Sequence, residues 1–389
     1  MELKKMNCQK KIGLIGSGYR LRYVVDYLLK AAEGRIEVGA ICDPDEEAIQ
    51  ASREAYGSEV PVCKSAQVLV ERDDLDWVFV GSYNSLHSEH AILALRAGKH
   101  VFCEKPLATN LEDCLAVKRA VEETGRTFAF GLVLRYSPYY QQIRNLVVEG
   151  RIGKLISFEF NDTLDFNHGG HIFNNWRRYR KHSGTHLLEK CCHDLDLANW
   201  LVGSLPAMVA SFGGRNFFVP ENEHHVERIG KNAQGQPAYS TWLGFHVEPF
   251  SPGADVVDNQ VAIIEYANQV RATFHTNCNC AIKERRFYLC GTEGTLRGDL
   301  ITGIIEVMRI GFDTEIKRID TKNGGGHGGG DQIMAEALSS TILEGTPPLA
   351  SVDDGIYSCV AAFAINEAME TGKTVDLQNY WKKAASLSL

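Results

Sequence analysis

The sequence predicts an α/β region joined to an α+β region: a doubly wound parallel sheet over residues 1–134, then an open, mainly antiparallel sheet domain over 135–389. Three observations carry that reading. At 389 residues, with 44% hydrophobic and 23% charged residues, the chain is long enough for two domains with a core each. From Lys11 to about Gly131, short β-branched runs alternate with amphipathic stretches, the rhythm of strand–helix–strand units. After about Arg135 the rhythm changes to longer period-2 segments with fewer helices, as antiparallel strands require.

The elements follow in order. Lys11–Gly16, Ile36–Asp43, Asp76–Ser82, His100–Glu104 and Thr127–Gly131 read as buried strands, with a weaker candidate at Val60–Cys63. Helical patterns fill Leu21–Ala32, Glu46–Tyr56, Ser88–Ala97 and Leu111–Glu123. In the second half, Ile156–Asn161, Met208–Phe212, Val261–Tyr266, Val270–Asn277, Arg286–Gly291 and Ile304–Ile310 follow one another as strands. A helix is expected over Gln332–Glu344, with Asp331 as its N-cap. Two such domains are expected to leave a cleft, a favoured place for a ligand.

Composition excludes several function classes. Forty-one Lys+Arg against 49 Asp+Glu give a net charge of −8, and without a polybasic stretch there is no footprint for nucleic acid or anionic lipid. No apolar run approaches the length of a membrane span, and Met1–Lys11 is polar without a leader's apolar segment, so a cytoplasmic protein is expected. Eleven cysteines, an odd and scattered set, read as mostly reduced thiols.

Gly16-Ser17-Gly18-Tyr19-Arg20-Leu21 follows the first strand and opens the first helix, where a glycine-rich turn lets backbone N–H groups approach a pyrophosphate. Leu21 replaces the third glycine of such turns, so the helix is expected to pack a little further from the strand. Asp43 ends the second strand 25 residues beyond Gly18, where a carboxylate bonds ribose hydroxyls and repels a 2′-phosphate. NAD is therefore expected rather than NADP. A glycine turn without cofactor is the competing reading of this motif alone.

Val78 to Leu107 reads VFVGSYNSLHSEHAILALRAGKHVFCEKPL. This segment resembles the Gfo/Idh/MocA oxidoreductases, the relatives of glucose-fructose oxidoreductase and inositol dehydrogenase. Their pattern is a strand, an Asn-x-x-His turn, a helix ending Ala-Gly-Lys-His-Val, then Glu-Lys-Pro. Asn84, His87, Gly98, Lys99, His100, Glu104, Lys105 and Pro106 match, whereas Leu21 and Tyr83 depart. The resemblance implies a Rossmann fold and a lysine, Lys105, aimed at the substrate beside the nicotinamide. An ammonium there stabilises alkoxide character developing on the hydroxyl. A position at the carboxyl end of a parallel strand favours this over a surface lysine.

Gly184 to Gly203 reads GTHLLEKCCHDLDLANWLVG. On a regular helix Glu189, His193, Asp196 and Trp200 fall at i, i+4, i+7 and i+11, along one face. This is similar to the family's helix in which a histidine and an upstream acid meet the substrate, with glutamate here where most members have aspartate. His193 is expected as general base, Glu189 to orient substrate or His193, and Asp196 to support them. Lys190 and Asp194 either reach the cleft edge or pair with other charges.

A zinc reading of Cys191-Cys192-His193 with Cys278-Asn279-Cys280 fails on spacing, so no metal is expected. Arg135, in Leu134-Arg135-Tyr136-Ser137-Pro138, resembles the family's linker arginine near the substrate pocket. Trp176-Arg177 resembles a loop pair that closes over the nicotinamide. For each, packing and surface charge is an equal alternative. The run Gly324–Gly330 around His327 allows close backbone approach to a ligand or forms a surface loop, and a similar run in sugar-acting relatives points to His327 and Asp331 as substrate contacts.

Cofactor contacts are thus expected at Gly16, Gly18, Tyr19, Arg20, Asp43, Ser82, Asn84, His87, Glu104, Lys105, Trp176 and Arg177. Substrate contacts are expected at Lys105, Arg135, Glu189, His193, His327 and Asp331. The expected activity is hydride transfer between a secondary hydroxyl of a sugar, glycoside or cyclitol and NAD, in a homodimer or homotetramer as the resemblance implies. Two alternatives stand beside it. One is a redox-neutral NAD-dependent glycosidase or lyase working through a keto-sugar, and the other is a non-catalytic NAD-binding sensor.

Overall fold

The computed structural model describes residues 10–240, 248–322 and 324–385; the first nine residues of the polar start lie outside this set. The described chain divides into two compact units that are not contiguous in sequence. Among the described residues, those from 10 to 137 join 324–359, and those from 138 to 322 join 360–385. A division after residue 134 therefore misses the return of the chain to the first unit.

Five parallel strands form the first unit's sheet: β1 (Lys10–Ile15), β2 (Ile36–Cys42), β3 (Trp77–Val80), β4 (His100–Cys103) and β5 (Phe128–Phe130), in the order β2-β1-β3-β4-β5. Their residues are almost all buried, as strands covered on both faces must be. The weak candidate near Val60–Cys63 is a single parallel bridge, Ile41 to Val62, on the outer side of β2. Counting it as a strand gives the 3-2-1-4-5-6 order of dinucleotide-binding sheets. The crossovers are α1 (Tyr19–Ala32), α2 (Glu46–Tyr56), α3 (Ala66–Val70), α4 (His87–Arg96) and α5 (Leu111–Thr124). Asp45, Ser65 and Asn110 cap α2, α3 and α5 through their side chains, as short polar residues do at helix starts.

Returning residues complete this unit. Phe130 N–H bonds Ala350 O at 3.2 Å beside β5, and the helix Gly330–Glu344 packs on α1.

Nine strands form the second unit's sheet: β6 (Leu155–Asp165), β7 (Pro206–Gly214), β8 (Asn259–Tyr266), β9 (Arg271–Cys280), β10 (Arg286–Gly291), β11 (Gly294–Asp299), β12 (Ile304–Arg309), β13 (Lys317–Asp320) and β14 (Val375–Asp376). Their order is β13-β12-β11-β10-β6-β9-β8-β7-β14, antiparallel except for the β6–β9 pair. The period-2 pattern sends Phe158, Phe160, Phe274 and Phe287 into the core, where their rings stack. The opposite face is apolar near β7 and β8, with Phe212 72% and Ile263 62% exposed. That face also carries ion pairs, Glu265–Arg271 between β8 and β9 and Glu159–Arg286 between β6 and β10.

A second cluster forms around the helix Phe166–Phe173, where Phe173, Phe218, Tyr239 and Phe250 are buried together. Fully buried Arg178 holds the adjoining chain by donating to Phe173 O, Glu248 O and the carbonyl and hydroxyl of Ser251. No helix among the described residues is long and apolar enough to cross a membrane, and the ten cysteines among them are free thiols.

Candidate active site

In the first unit the glycine turn has the shape that an anion requires. Gly16 has φ +80°, and a Cβ there would sit 2.4 Å from Ser82 N, so only glycine fits. Gly18 is the N-cap of α1 with no side-chain partner for the helix's first N–H groups, and no atom lies within 4 Å of where its Cβ would be. An open cradle over a helix N-terminus suits a pyrophosphate. The glycine missing at Leu21 is supplied from the other side: Leu21 packs on Gly81, where an added Cβ would be 2.8 Å away.

Asp43 stands beside the turn. Its Oδ2 accepts from Ser17 N at 2.6 Å and its Oδ1 from Asp45 N at 2.9 Å; burial raises its pKa while these N–H groups oppose the rise. Tyr19 is half-exposed and stacks with Tyr23. The residues present fit a dinucleotide: the turn for its pyrophosphate and Asp43 for a ribose.

Lys105 lies on the loop after β4, half-buried, between two fixed neighbours. Before it, Glu104 is buried and accepts from Arg20 Nε at 2.8 Å. After it, Pro106 O lies 2.7 Å from His87 Nδ1, while His87 Nε2 lies 3.0 Å from Ser82 O. His87 is buried, which lowers its pKa. Both of its ring nitrogens thus face backbone carbonyls, and a neutral ring, with one N–H, donates to one of them. Asn84 is buried in the same turn, and Ser82 Oγ lies 2.9 Å from His90 Nδ1.

Arg135 is buried and pairs with Asp354 at 2.9 Å, which favours the packing alternative for this residue. Asp331 is not an N-cap: the helix starts at Gly330 behind Gly329, and Asp331 lies in its first turn. The two oxygens of Asp331 are taken by Arg20 Nη1 at 2.6 Å and His327 Nδ1 at 2.8 Å.

In the second unit the expected single helix is two. Leu187–Cys191 is a π-helical turn and Cys192–Val202 an α-helix. The i→i+5 turn takes Glu189 out of simple i, i+4 register with His193, and such widened turns recur at functional sites. Glu189, His193 and Asp196 are all buried. Arg177 Nε donates to Glu189 Oε1 at 2.7 Å and lies over the Trp176 ring at 4.5 Å. Two residues expected to reach different ligands are therefore bonded to each other. Trp200 carries Arg144 over its ring at 5.4 Å.

Lys190 and Asp194 pair with other charges. Lys190 lies 3.5 Å from Asp162, and Arg285 grips Asp194 at 2.8 and 2.7 Å while reaching Asp162 at 3.6 Å. Asp162 and Arg285 were not apparent from sequence. A polar Asn161-Asp162-Thr163 triplet, buried within a strand that begins with alternating phenylalanines, is the signal that marks Asp162.

Asp162, Cys191 and Asp194 place ligand-type atoms within 4.8 Å of one another. Arg285 and Lys190 already balance the two carboxylates, so the cluster behaves as an ion-pair network. Three histidines nearby are held neutral. Burial, reinforced by Arg177, lowers His171 to about 3, burial lowers His186 to about 4, and burial with Lys190 lowers His168 well below its usual range.

Comparison with known proteins joins these observations. Residues 10–132 match the oxidoreductase-family model for an NAD-binding Rossmann fold, and residues 144–377 match that family's C-terminal α/β domain. The chain is 26% identical over 375 residues to 1,5-anhydro-D-fructose reductase of Ensifer adhaerens, covering 94% of this chain and 98% of that protein. It is 35% identical over 150 residues to 2,7-anhydro-N-acetylneuraminate hydratase of Escherichia coli, 39% of this chain and 40% of that one. A levoglucosan dehydrogenase solved with NADH and levoglucosan shares the fold, with a TM-score of 0.77 at 21% identity over 95% of this chain and 99% of that one.

Proposed function

The chain belongs to the Gfo/Idh/MocA oxidoreductase family, and from that premise we propose that it oxidises a secondary hydroxyl of a sugar, glycoside or cyclitol, with Lys105 and His193 acting on the hydroxyl. His193 takes the proton, and the Lys105 ammonium stabilises the oxygen as negative charge develops. Bound NAD supplies the hydride acceptor; the protein supplies orientation and electrostatics. Glu189, held by Arg177, orients the substrate. The observation that carries this reading is the bracing of Lys105: Arg20 on Glu104 and His87 on Pro106 O fix the backbone on both sides of one half-buried ammonium.

Asp43 supports NAD over NADP, since a carboxylate bonded to the turn meets a 2′-phosphate with like charge. The exposed apolar strip of Phe212, Val261 and Ile263 supports a contact between copies of the chain through the open sheet face. A cytoplasmic location belongs to the same reading, supported by the free thiols among the described residues.

The test is incubation of the purified protein with NAD and a panel of free sugars, cyclitols and chromogenic glycosides, following NADH absorbance and aglycone release together. NADH accumulation supports the dehydrogenase. Lys105→Met is expected to retain NAD binding and lose turnover; unchanged turnover would remove Lys105 from the mechanism. The similarity to a hydratase of an anhydro-sugar favours one second reading, a redox-neutral lyase or glycosidase. Aglycone release that requires NAD without NADH accumulation would establish it.

A further inference from the structure

Arg20 sits in the glycine turn, yet its guanidinium is directed into the protein. Nε donates to Glu104 Oε1 at 2.8 Å and Nη1 to Asp331 Oδ1 at 2.6 Å, and both carboxylates are buried. The other oxygen of Asp331 faces His327 Nδ1 at 2.8 Å. A carboxylate with no proton only accepts, so Nδ1 is the proton-bearing nitrogen. Glu104, Arg20, Asp331 and His327 thus form one continuous line from the loop that carries Lys105 to the glycine loop.

The glycine loop is shaped to present this histidine. His327 has φ +51°, followed by Gly328 at +62° and Gly329 at +85°, a left-handed stretch that a β-carbon tolerates poorly and that persists only when its surroundings hold it. Tyr23 of α1 lies against Gly326. A hydrogen bond with Tyr27 raises its pKa to about 12, so it adds no charge near neutral pH.

Charge counting gives the line a function. Two carboxylates face one arginine, so a negative charge is left over when His327 is neutral and is cancelled when His327 is protonated. The pKa of Asp331 falls to about 2: burial opposes ionisation, but the His327 hydrogen bond and Arg20 outweigh it.

We propose that Arg20 and Asp331 are positioning residues that meet no ligand themselves and that fix the protonation and orientation of His327, while Arg20 also holds the Glu104-Lys105 loop. The assignment of His327 and Lys105 to ligands rests on the functional reading above; the electrostatic line does not.

The test is the titration midpoint of His327 by NMR in the full-length protein, with His327→Gln to assign the resonance. Asp331→Asn removes the carboxylate that favours the charged ring, and the midpoint is expected to fall by about one unit or more. Arg20→Met leaves two carboxylates without their arginine, and the midpoint is expected to rise. Arg20→Lys keeps the charge and is expected to hold the midpoint near wild type, which serves if the methionine variant does not fold. Midpoints that stay put, or that move in the same direction in Asp331→Asn and Arg20→Met, would overturn the proposal, since damage to folding alone predicts no opposite shifts. The pH profile of kcat/KM in Asp331→Asn is expected to move with the NMR midpoint. A midpoint that moves while the profile stays fixed would leave the line standing and instead remove His327 from the active site.

Discussion

Asp331 in the first unit and Asp194 in the second are both buried carboxylates bonded to an arginine, and their pKa values move in opposite directions. Asp331 receives Arg20 and His327 on separate oxygens and is held down near about 2. Asp194 has the bidentate grip of Arg285, but burial and the neighbouring Asp162 outweigh it and push the pKa up. Arg285 and Lys190 outweigh burial at Asp162 and pull that carboxylate down. A short arginine contact therefore does not by itself decide a buried acid's state. The balance of all the charges around it does: Asp331 has His327 as a second donor, whereas Asp194 has the neighbouring carboxylate of Asp162.

The largest expected effect breaks the second unit's arrangement. Arg285→Met strands two buried carboxylates and is expected to cost about 3–5 kcal/mol in urea unfolding, with part of the loss recovered on adding Asp194→Asn. A double variant no more stable than the single one would show that Asp194 is not the stranded charge. In the first unit, Asp331→Asn is expected to cost about 1.5–3 kcal/mol at pH 7. A depressed carboxylate contributes stability above its unfolded pKa of about 4 and loses it as pH falls toward about 2, so the gap to wild type should close over that window.

Asp194→Asn alone sharpens the contrast with a slope of the other sign. A raised carboxylate binds its proton more tightly when folded, so wild-type stability falls as pH rises above about 4. The variant should lack that component of the decline, as melting temperatures across pH 4–7 would reveal. The smallest effect is expected at an exposed pair: Arg297→Ala breaks the 2.7 Å contact with Glu306 and should change stability by less than about 1 kcal/mol.

The parallel sheet was legible because buried strands are continuous apolar runs bounded by turns, and the Asn84-to-Pro106 motif marked its loops. β11 was missed because GTLRGD has two glycines and two charged residues where a strand pattern needs apolar alternation. It pairs nonetheless, joined to β10 by the two residues Thr292 and Glu293. β14 has only two residues and is defined by pairing with β7 alone. The site was legible as residue types and not as partnerships. Nothing in the spacing of Arg20 and Asp331, or of Arg177 and Glu189, states that they bond, because those pairs are made by tertiary packing. The π-turn also leaves no trace in a pattern that an α-helix would satisfy equally well.

The return of residues 324–359 to the first unit bears on how the chain is made. During synthesis the first five strands emerge early, but Ala350, which bonds Phe130 beside β5, and Asp331, which holds Arg20, arrive only after the second sheet's strands up to β13. Strand β5 must therefore wait on the ribosome with that amide unpaired by its native partner. A truncated 1–137 fragment inherits the same open edge permanently, and open edges are where chains pair with the wrong neighbour.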